Sequence, residues 1–271
     1  MYKFMIISSL VVLAVFCGVE GAKARETSRG QPYSSVTSSE ADGNFEPINN
    51  HDGTVTFMNQ TWSVIKDMGE GNVMIGSTQA IAFSHFSLEH HHYYPSSSLS
   101  WLNDGYRDSL VKKEVDAWYQ EKIKGTDYEK AVVPVYLHNP IFMDMKKLGW
   151  KSYNDGNIST HSWRVHVIGP ETYPTVVNHS YGHKQAFILS GSDLAEKKQG
   201  WPADYYTGKL ILNAIHYRDR LYNNGVSISW LRSPSEDSYG ASGLYAREAR
   251  IRGFIVWFAH GVVPALVVHI K

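Results

Sequence analysis

Arg232 lies in the stretch SWLRSP, residues 229–234, between the indole of Trp230 and a Ser233-Pro234 step. A guanidinium beside an indole is suited to an anionic or sugar ligand, with the ring as a stacking surface. The plainer reading is an arginine that bonds loop carbonyls where a strand leaves the core, with Pro234 ending its ladder. Glu236 and Asp237 follow at once and have the side chains of a glycoside-cleaving pair, although their spacing favours no partner.

Histidines supply the second candidate chemistry. The run EHHHYYP at 89–95 contains His90 and His92, and HSYGH contains His179 and His183 at an H-x3-H interval. Neutral imidazoles bind zinc or copper, but adjacent residues on a strand do not converge, and Gly182 disfavours the helix that would align the second pair. A metal site at these positions is therefore the weaker alternative to a solvated loop, and no cofactor is expected. For nucleophilic hydrolysis there is no G-x-S-x-G elbow, and Ser190 and Ser192 in LSGSDL sit where helix capping accounts for them.

Cys17 is the sole cysteine, and it falls within an N-terminal segment that reads as a signal peptide. Lys3, an apolar run from Phe4 to Val19 and the Ala22-Lys23-Ala24 pattern predict cleavage after Ala24, with an uncleaved anchor and a lipoprotein as lesser alternatives. Cleavage leaves a cysteine-free secreted chain without disulfide or thiol chemistry, whose stability must come from its core. The formal charge is +0 and the hydrophobic share is 43%, which argues against nucleic acid as the main partner and provides ample core.

The elements that must position these residues follow from periodicity. Residues 25–53 are rich in Ser, Thr, Gly, Pro and Asn and read as a disordered leader or stalk, so a single domain is expected over 54–271. TVTFMNQTWSVI alternates apolar residues about an Asn59-Gln60 turn and predicts a hairpin, with GNVMIGS as a third strand. Val111, Val115, Trp118, Tyr119 and Ile123 fall at helical spacing behind an Asp108 or Ser109 cap. A second helix is expected from about Tyr205 to Tyr222, with Leu210, Ile211, Ala214, Ile215 and Leu221 on one side, and a short one at 192–199 after the strand AFILS. From Val226 onward VSISWL, GLYARE, GFIVWF and ALVVHI read as strands, which makes the domain α+β. Residues 138–184 break this rhythm and read as a long loop insertion that includes one strand-like piece, HSWRVHVIG.

TWSVI, GNVMIGS, the segment SSLSWLNDGYRDSLVKKEVDAWYQEKI that contains the helix expected at 108–124, AFILSGSDL, SWLRSP and the terminal GVVPAL, in this order, resemble a family of bacterial secreted and surface domains of unknown function. SWLRSP together with Pro-Ala-Leu is the most specific pair, and the resemblance covers about residues 54–271. It implies a C-type-lectin-like fold: twisted antiparallel sheets, two main helices, a long loop region, and N- and C-terminal strands paired. In that pattern Trp62, Trp118, Trp230, Arg232, Pro234 and Pro264 are structural. Where the family has arginine before Pro-Ala-Leu this chain has Val263, which leaves no paired-arginine site.

With 8 Trp and 17 Tyr the chain carries more aromatic surface than its core needs, and Trp and Tyr each offer a flat apolar body with a polar tip. Trp101, Tyr106, Trp150, Tyr153, Tyr239 and Tyr245 are the candidates outside predicted cores, and Arg232, Trp230, Tyr239, Tyr245, Trp150 and Tyr153 form the expected ligand-binding set; the plainer reading is half-buried packing. The expected function is a secreted, non-catalytic module that binds a glycan or surface protein and has no membrane span after cleavage. The alternative is an extracellular hydrolase acting on a cell-wall or host polymer.

Overall fold

Met58 and Asn59 both adopt positive φ (54° and 56°), the twist that a two-residue hairpin turn requires. They join β2 (Thr54–Phe57) to β3 (Gln60–Gly69), and a turn at Glu70-Gly71 leads to β4 (Asn72–Ser77). The expected meander is present, with its first turn one residue earlier than Asn59-Gln60. The computed structural model describes residues 45–87, 106–107, 109–137, 175–197, 206–234 and 240–271. The signal segment 1–24, and HSWRVHVIG within the expected loop insertion, lie outside these residues.

The folded part begins before Thr54. β1 (Ile48–Asn49) adds to β2, so the last residues of the expected 25–53 leader belong to the sheet. The C-terminal strand β14 (Ala265–His269) completes it, giving the order β1-β2-β3-β4-β14, antiparallel throughout. TVTFMNQTWSVI and ALVVHI therefore share one sheet, but β4 stands between them.

A second sheet has the order β12-β11-β10-β13-β5, built from β5 (Ala82–His85), β10 (Ile228–Pro234), β11 (Gly240–Tyr245), β12 (Arg250–Ile255) and β13 (Ala259–Val262). Its pairings are antiparallel except β10 with β13, which run parallel through Ser229 and Gly261. Two further antiparallel sheets have two strands each: β6 (Val135–Leu137) with β7 (Thr175–Val177), and β8 (Ala195–Lys197) with β9 (Tyr206–Leu210). β7 lies inside the expected 138–184 insertion, so the end of that segment is part of the folded body.

Helix α1 (Leu110–Lys122) matches its periodicity: Ser109 caps it by accepting from the Lys112 amide at 3.0 Å, and Val111, Val115, Trp118 and Tyr119 are buried. α2 is a single turn, Tyr128–Ala131. α3 (Gly191–Leu194) is also one turn, shorter than the expected 192–199, because the chain then enters β8. α4 spans Leu212–Asn223 rather than starting at Tyr205. Thr207 and Gly208 are poor helix formers, and pairing with β8 satisfies the backbone there, so this stretch becomes β9. Ala214, Tyr217 and Leu221 form the buried stripe of α4, whereas Leu210 belongs to the strand. AFILS is extended but pairs only by a bridge from Phe187 to Ala265.

Two buried clusters meet on the first sheet. One gathers Trp62, Ile75, Trp118, Trp230, Leu266 and Val268; the other gathers Ile65, Met74, Phe187, Leu231, Leu244, Ala265 and Val267. β14 thus sends successive side chains into both, as a strand covered on each face must. The Trp62 indole donates to the Phe57 carbonyl at 3.0 Å and lies 6.1 Å from the Trp118 ring, which fixes α1 against the sheet. Leu266→Ala opens a cavity where the surroundings cannot collapse, and the expected loss is about 2–5 kcal/mol. Urea unfolding followed by tryptophan fluorescence measures it; a loss below about 1 kcal/mol would show that β14 is not central to the core.

Candidate functional site

Arg232 is only 2% exposed and is surrounded by acceptors. Its Nη1 donates to the Ile188 carbonyl at 2.9 Å and to Asp193 Oδ2 at 2.8 Å, and its Nη2 donates to Thr175 Oγ1 at 2.9 Å. The guanidinium carbon stands 5.5 Å from the Phe187 ring centroid. Asp193 Oδ2 also accepts from Thr175 Oγ1 at 3.1 Å and from the Ser190 amide at 2.9 Å, while Oδ1 accepts from the Thr175 amide at 3.2 Å. Ser190 and Asp193 complete a capping box on α3, and the Gly191 amide donates to Ser233 Oγ at 2.9 Å. The serines of LSGSDL are accounted for by this turn: Ser190 is its cap, and Ser192 Oγ lies 2.7 Å from Ser190 Oγ.

This enclosure corrects the expectation that Arg232 and Trp230 touch a ligand. Nη1 and Nη2 of the guanidinium both donate to protein acceptors, and Trp230, 1% exposed, donates its indole N–H to the Ser84 carbonyl at 2.8 Å. Arg232 ties β7, α3 and β10 together. Removing it strands a buried carboxylate, so Arg232→Met is expected to cost about 3–5 kcal/mol. Arg232→Met combined with Asp193→Asn should cost less than the sum of the single changes, as coupled neighbours do. Chemical denaturation of the four proteins of this cycle tests it, and strict additivity would show that the pair is not an energetic unit.

Trp230 is the buried end of an aromatic series that continues to the surface. On this face of the second sheet the Trp230 ring is 4.6 Å from His260, His260 is 4.9 Å from Phe254, and Phe254 is 6.3 Å from Tyr245. Phe258 extends the series 6.4 Å beyond His260. Gly243 makes the arrangement possible: a Cβ there would meet the Phe254 ring at 2.7 Å and the Ser229 carbonyl at 3.2 Å. The Phe254 ring lies over the bare backbone of β11. Tyr245 and Phe254 are half-buried, and Phe258 is 51% exposed, next to Trp257 at 39% in the β12–β13 turn. Phe83 on the edge strand β5 is also 51% exposed. The turn is held by the Val256 carbonyl, which accepts from the Phe86 amide at 2.8 Å, and by a hydrogen bond between His85 Nδ1 and the Trp257 carbonyl.

Charge flanks the rings. Tyr245 pairs across the strands with Arg250, Gly243 with Arg252 and Ala241 with Phe254, so Arg250, Arg252 and Phe254 project from one face of β12. Both arginines share one carboxylate, Glu248, with Arg252 Nη1 3.6 Å from its Oε2. His260 is neutral: burial among the rings pushes its pKa down from 6.5 to about 4.

Tyr245 is the one member of the expected ligand set that is placed at this surface. Tyr106 is buried instead, its hydroxyl accepting from the Ile188 amide at 3.1 Å, and burial raises its pKa. Trp101, Trp150, Tyr153, Tyr239, Glu236, Asp237, His90 and His92 lie outside the described residues. His179 and His183 are exposed on a tight turn in which the Gly182 amide donates to the Asn178 carbonyl at 3.0 Å. Among the described residues no three His, Cys, Asp or Glu side chains come together as a metal site. Trp62, Trp118 and Pro264 are buried, Val263 is buried in the second cluster, and Pro234 closes β10.

No protein-family model, curated protein or solved structure matches this chain. The functional reading therefore rests on geometry. A cleft of about 580 Å³ between residues 45–47, α2 and the C-terminus is less informative, because its charges are already matched: Lys271 pairs with Glu46, and Lys130 with Asp127 at 2.6 Å.

Phe254, Trp257, Phe258, Phe83, Arg250 and Arg252 were not singled out by the sequence. GFIVWF reads as a core strand, whereas β12 ends at Ile255 on the edge of its sheet and Val256, Trp257 and Phe258 form the turn that follows. One local signal was present: Gly243 inside a strand pattern marks a place where something approaches the backbone closely.

The unfolded chain binds a proton at residue 260 near pH 6.5, the folded chain only near pH 4. The stability due to neutral His260 is thus fully present above pH 6.5 and is lost as pH falls towards 4. Thermal unfolding of the parent and His260→Phe between these limits should show the parent losing more stability on acidification; parallel profiles would exclude this origin.

Proposed function

We propose that the chain is a secreted, non-catalytic binding module of C-type-lectin-like architecture, whose ligand is a glycan or a surface protein. One observation carries the reading: an aromatic series of Tyr245, Phe254, His260 and Phe258 runs from a buried tryptophan to the surface of the second sheet, with Trp257 beside its outer end. Contiguous exposed rings are uncommon on a surface that binds nothing, and flat amphipathic rings serve sugar and protein ligands alike. The mixed α+β architecture with antiparallel sheets, and the terminal strands within one sheet, are compatible with a lectin-like fold. The N-terminal apolar run followed by Ala-Lys-Ala supports secretion, and among the described residues no helix is long and apolar enough to cross a membrane. Near-neutral overall charge speaks against nucleic acid as the main partner.

The hydrolase alternative depends on Glu236 and Asp237, outside the described residues, and no observation favours it. Trp257→Ala and Phe258→Ala remove exposed rings at little structural cost. Each is expected to lower retention on a glycan array or an extracellular-protein pull-down by about tenfold with an unchanged melting temperature. Retention equal to the parent for both variants, or no retention of the parent on either platform, would overturn the reading.

A further inference from the structure

We infer that the aromatic face takes a polyanionic glycan, a sugar chain bearing carboxylate or sulfate groups, held by Arg250 and Arg252 on β12. This deepens the binding reading above and rests on it. Three exposed arginines, Arg247, Arg250 and Arg252, lie within six residues of chain, and the same stretch holds one carboxylate, Glu248. Glu248 is shared by Arg250 and Arg252, so the edge carries excess positive charge in a chain that is formally neutral overall. The excess is local to this face.

The placement of that charge relative to the rings narrows the ligand. Arg250 and Arg252 project from the same side of the strand as Phe254, and Arg250 stands directly across from Tyr245. Two residues along a strand separate the two arginine Cα atoms by about 7 Å. A ligand lying along β12 would meet two guanidiniums at that interval and then the Phe254 ring, with Phe258 beyond it. A sugar chain suits this pattern because each ring has an apolar face for stacking and carries its acidic group at the rim, repeating at intervals of similar size. Guanidinium is the group of choice for carboxylate and sulfate oxygens, since its donors form a planar fork.

Neighbouring charges support the assignment. Lys209 on β9, adjacent to β12, pairs with Glu196 at 3.2 Å, and Arg218 on α4 pairs with Asp219 at 3.1 Å, so these cations are matched by acids. At Arg250 and Arg252 a single carboxylate answers two guanidiniums. Glu248 is then a competitor for an anionic ligand, and its removal should help binding.

The experiment uses the full chain and affinity electrophoresis through gels containing polygalacturonate, dextran sulfate, neutral dextran, single-stranded DNA or polyglutamate. The expected result is retardation by the acidic glycans and none by neutral dextran. Retardation should weaken between about 50 mM and about 500 mM salt, over which the screening length falls roughly threefold. Arg250→Gln with Arg252→Gln should weaken acidic-glycan binding about tenfold, and Glu248→Gln should strengthen it about twofold to fivefold. These side chains are exposed, so folding is unaffected, which circular dichroism confirms. Equal retardation by neutral and acidic glycans, or an arginine double variant that binds as the parent does, would overturn the inference while leaving the binding reading intact. Stronger retardation by DNA or polyglutamate than by either acidic glycan would overturn it in favour of that ligand. No retardation in any gel also overturns it; the binding reading then stands or falls by the Trp257 and Phe258 variants.

Discussion

The buried pairing of Arg232 with Asp193 is the constraint to which the rest of the structure answers. Two charges removed from water cost several kcal/mol each unless hydrogen bonds surround them, so the fold must deliver acceptors to one place. Those acceptors come from segments far apart in sequence: Thr175 on β7, the Ile188 carbonyl, and Asp193 on α3. The Arg232 amide also donates to the Leu189 carbonyl at 2.9 Å, which fixes the backbone of β10 as well as its side chain. Satisfying one guanidinium therefore locks the position at which β10 leaves the sheet.

That lock sets the register from which the surface series grows. Trp230 is two residues before Arg232, where β10 still pairs regularly with β11; the pairing becomes irregular between Trp230 and Pro234. With Trp230 fixed by the Ser84 carbonyl, Gly243 lies opposite it and Phe254 can settle over the glycine. An alanine at 243 would push the ring away and break the line from interior to surface. The same sheet is thus a closed core on its β10 side and an open aromatic face on its β12 side. Only a residue without a side chain allows the two halves to meet.

The parts that could be read in the sequence are those governed by local periodicity. The 3.6-residue spacing from Val111 to Ile123 and the alternation in TVTFMNQTWSVI reflect one buried face each, and both elements form as their patterns dictate. The segment before α4 departs from its pattern because Leu210 and Ile211 continue the helical spacing, while tertiary pairing with β8 decides the outcome. For Arg232 the sequence permitted an anchor or a ligand contact; nothing local shows that Thr175, 57 positions away, supplies an acceptor. The aromatic face was hidden for the opposite reason. GFIVWF has the composition of a core strand, and nothing in it shows that its first three residues end an edge strand and that Val256, Trp257 and Phe258 form the turn to β13.

The neutral state of His260 bears on what the open face can do. A charged imidazole among the rings of Trp230, Phe254 and Phe258 would have to be desolvated, which is why its pKa falls to about 4. At neutral pH the centre of the face is consequently apolar, and its charge is confined to the guanidiniums on β12. Apolar rings in the middle and cations at the side is an arrangement in which stacking and ion pairing do not compete for the same surface. Stacking there depends little on salt, whereas the exposed arginines act through a screened field. The two contributions are physically separable because the fold puts them on neighbouring positions of one strand edge rather than on one side chain.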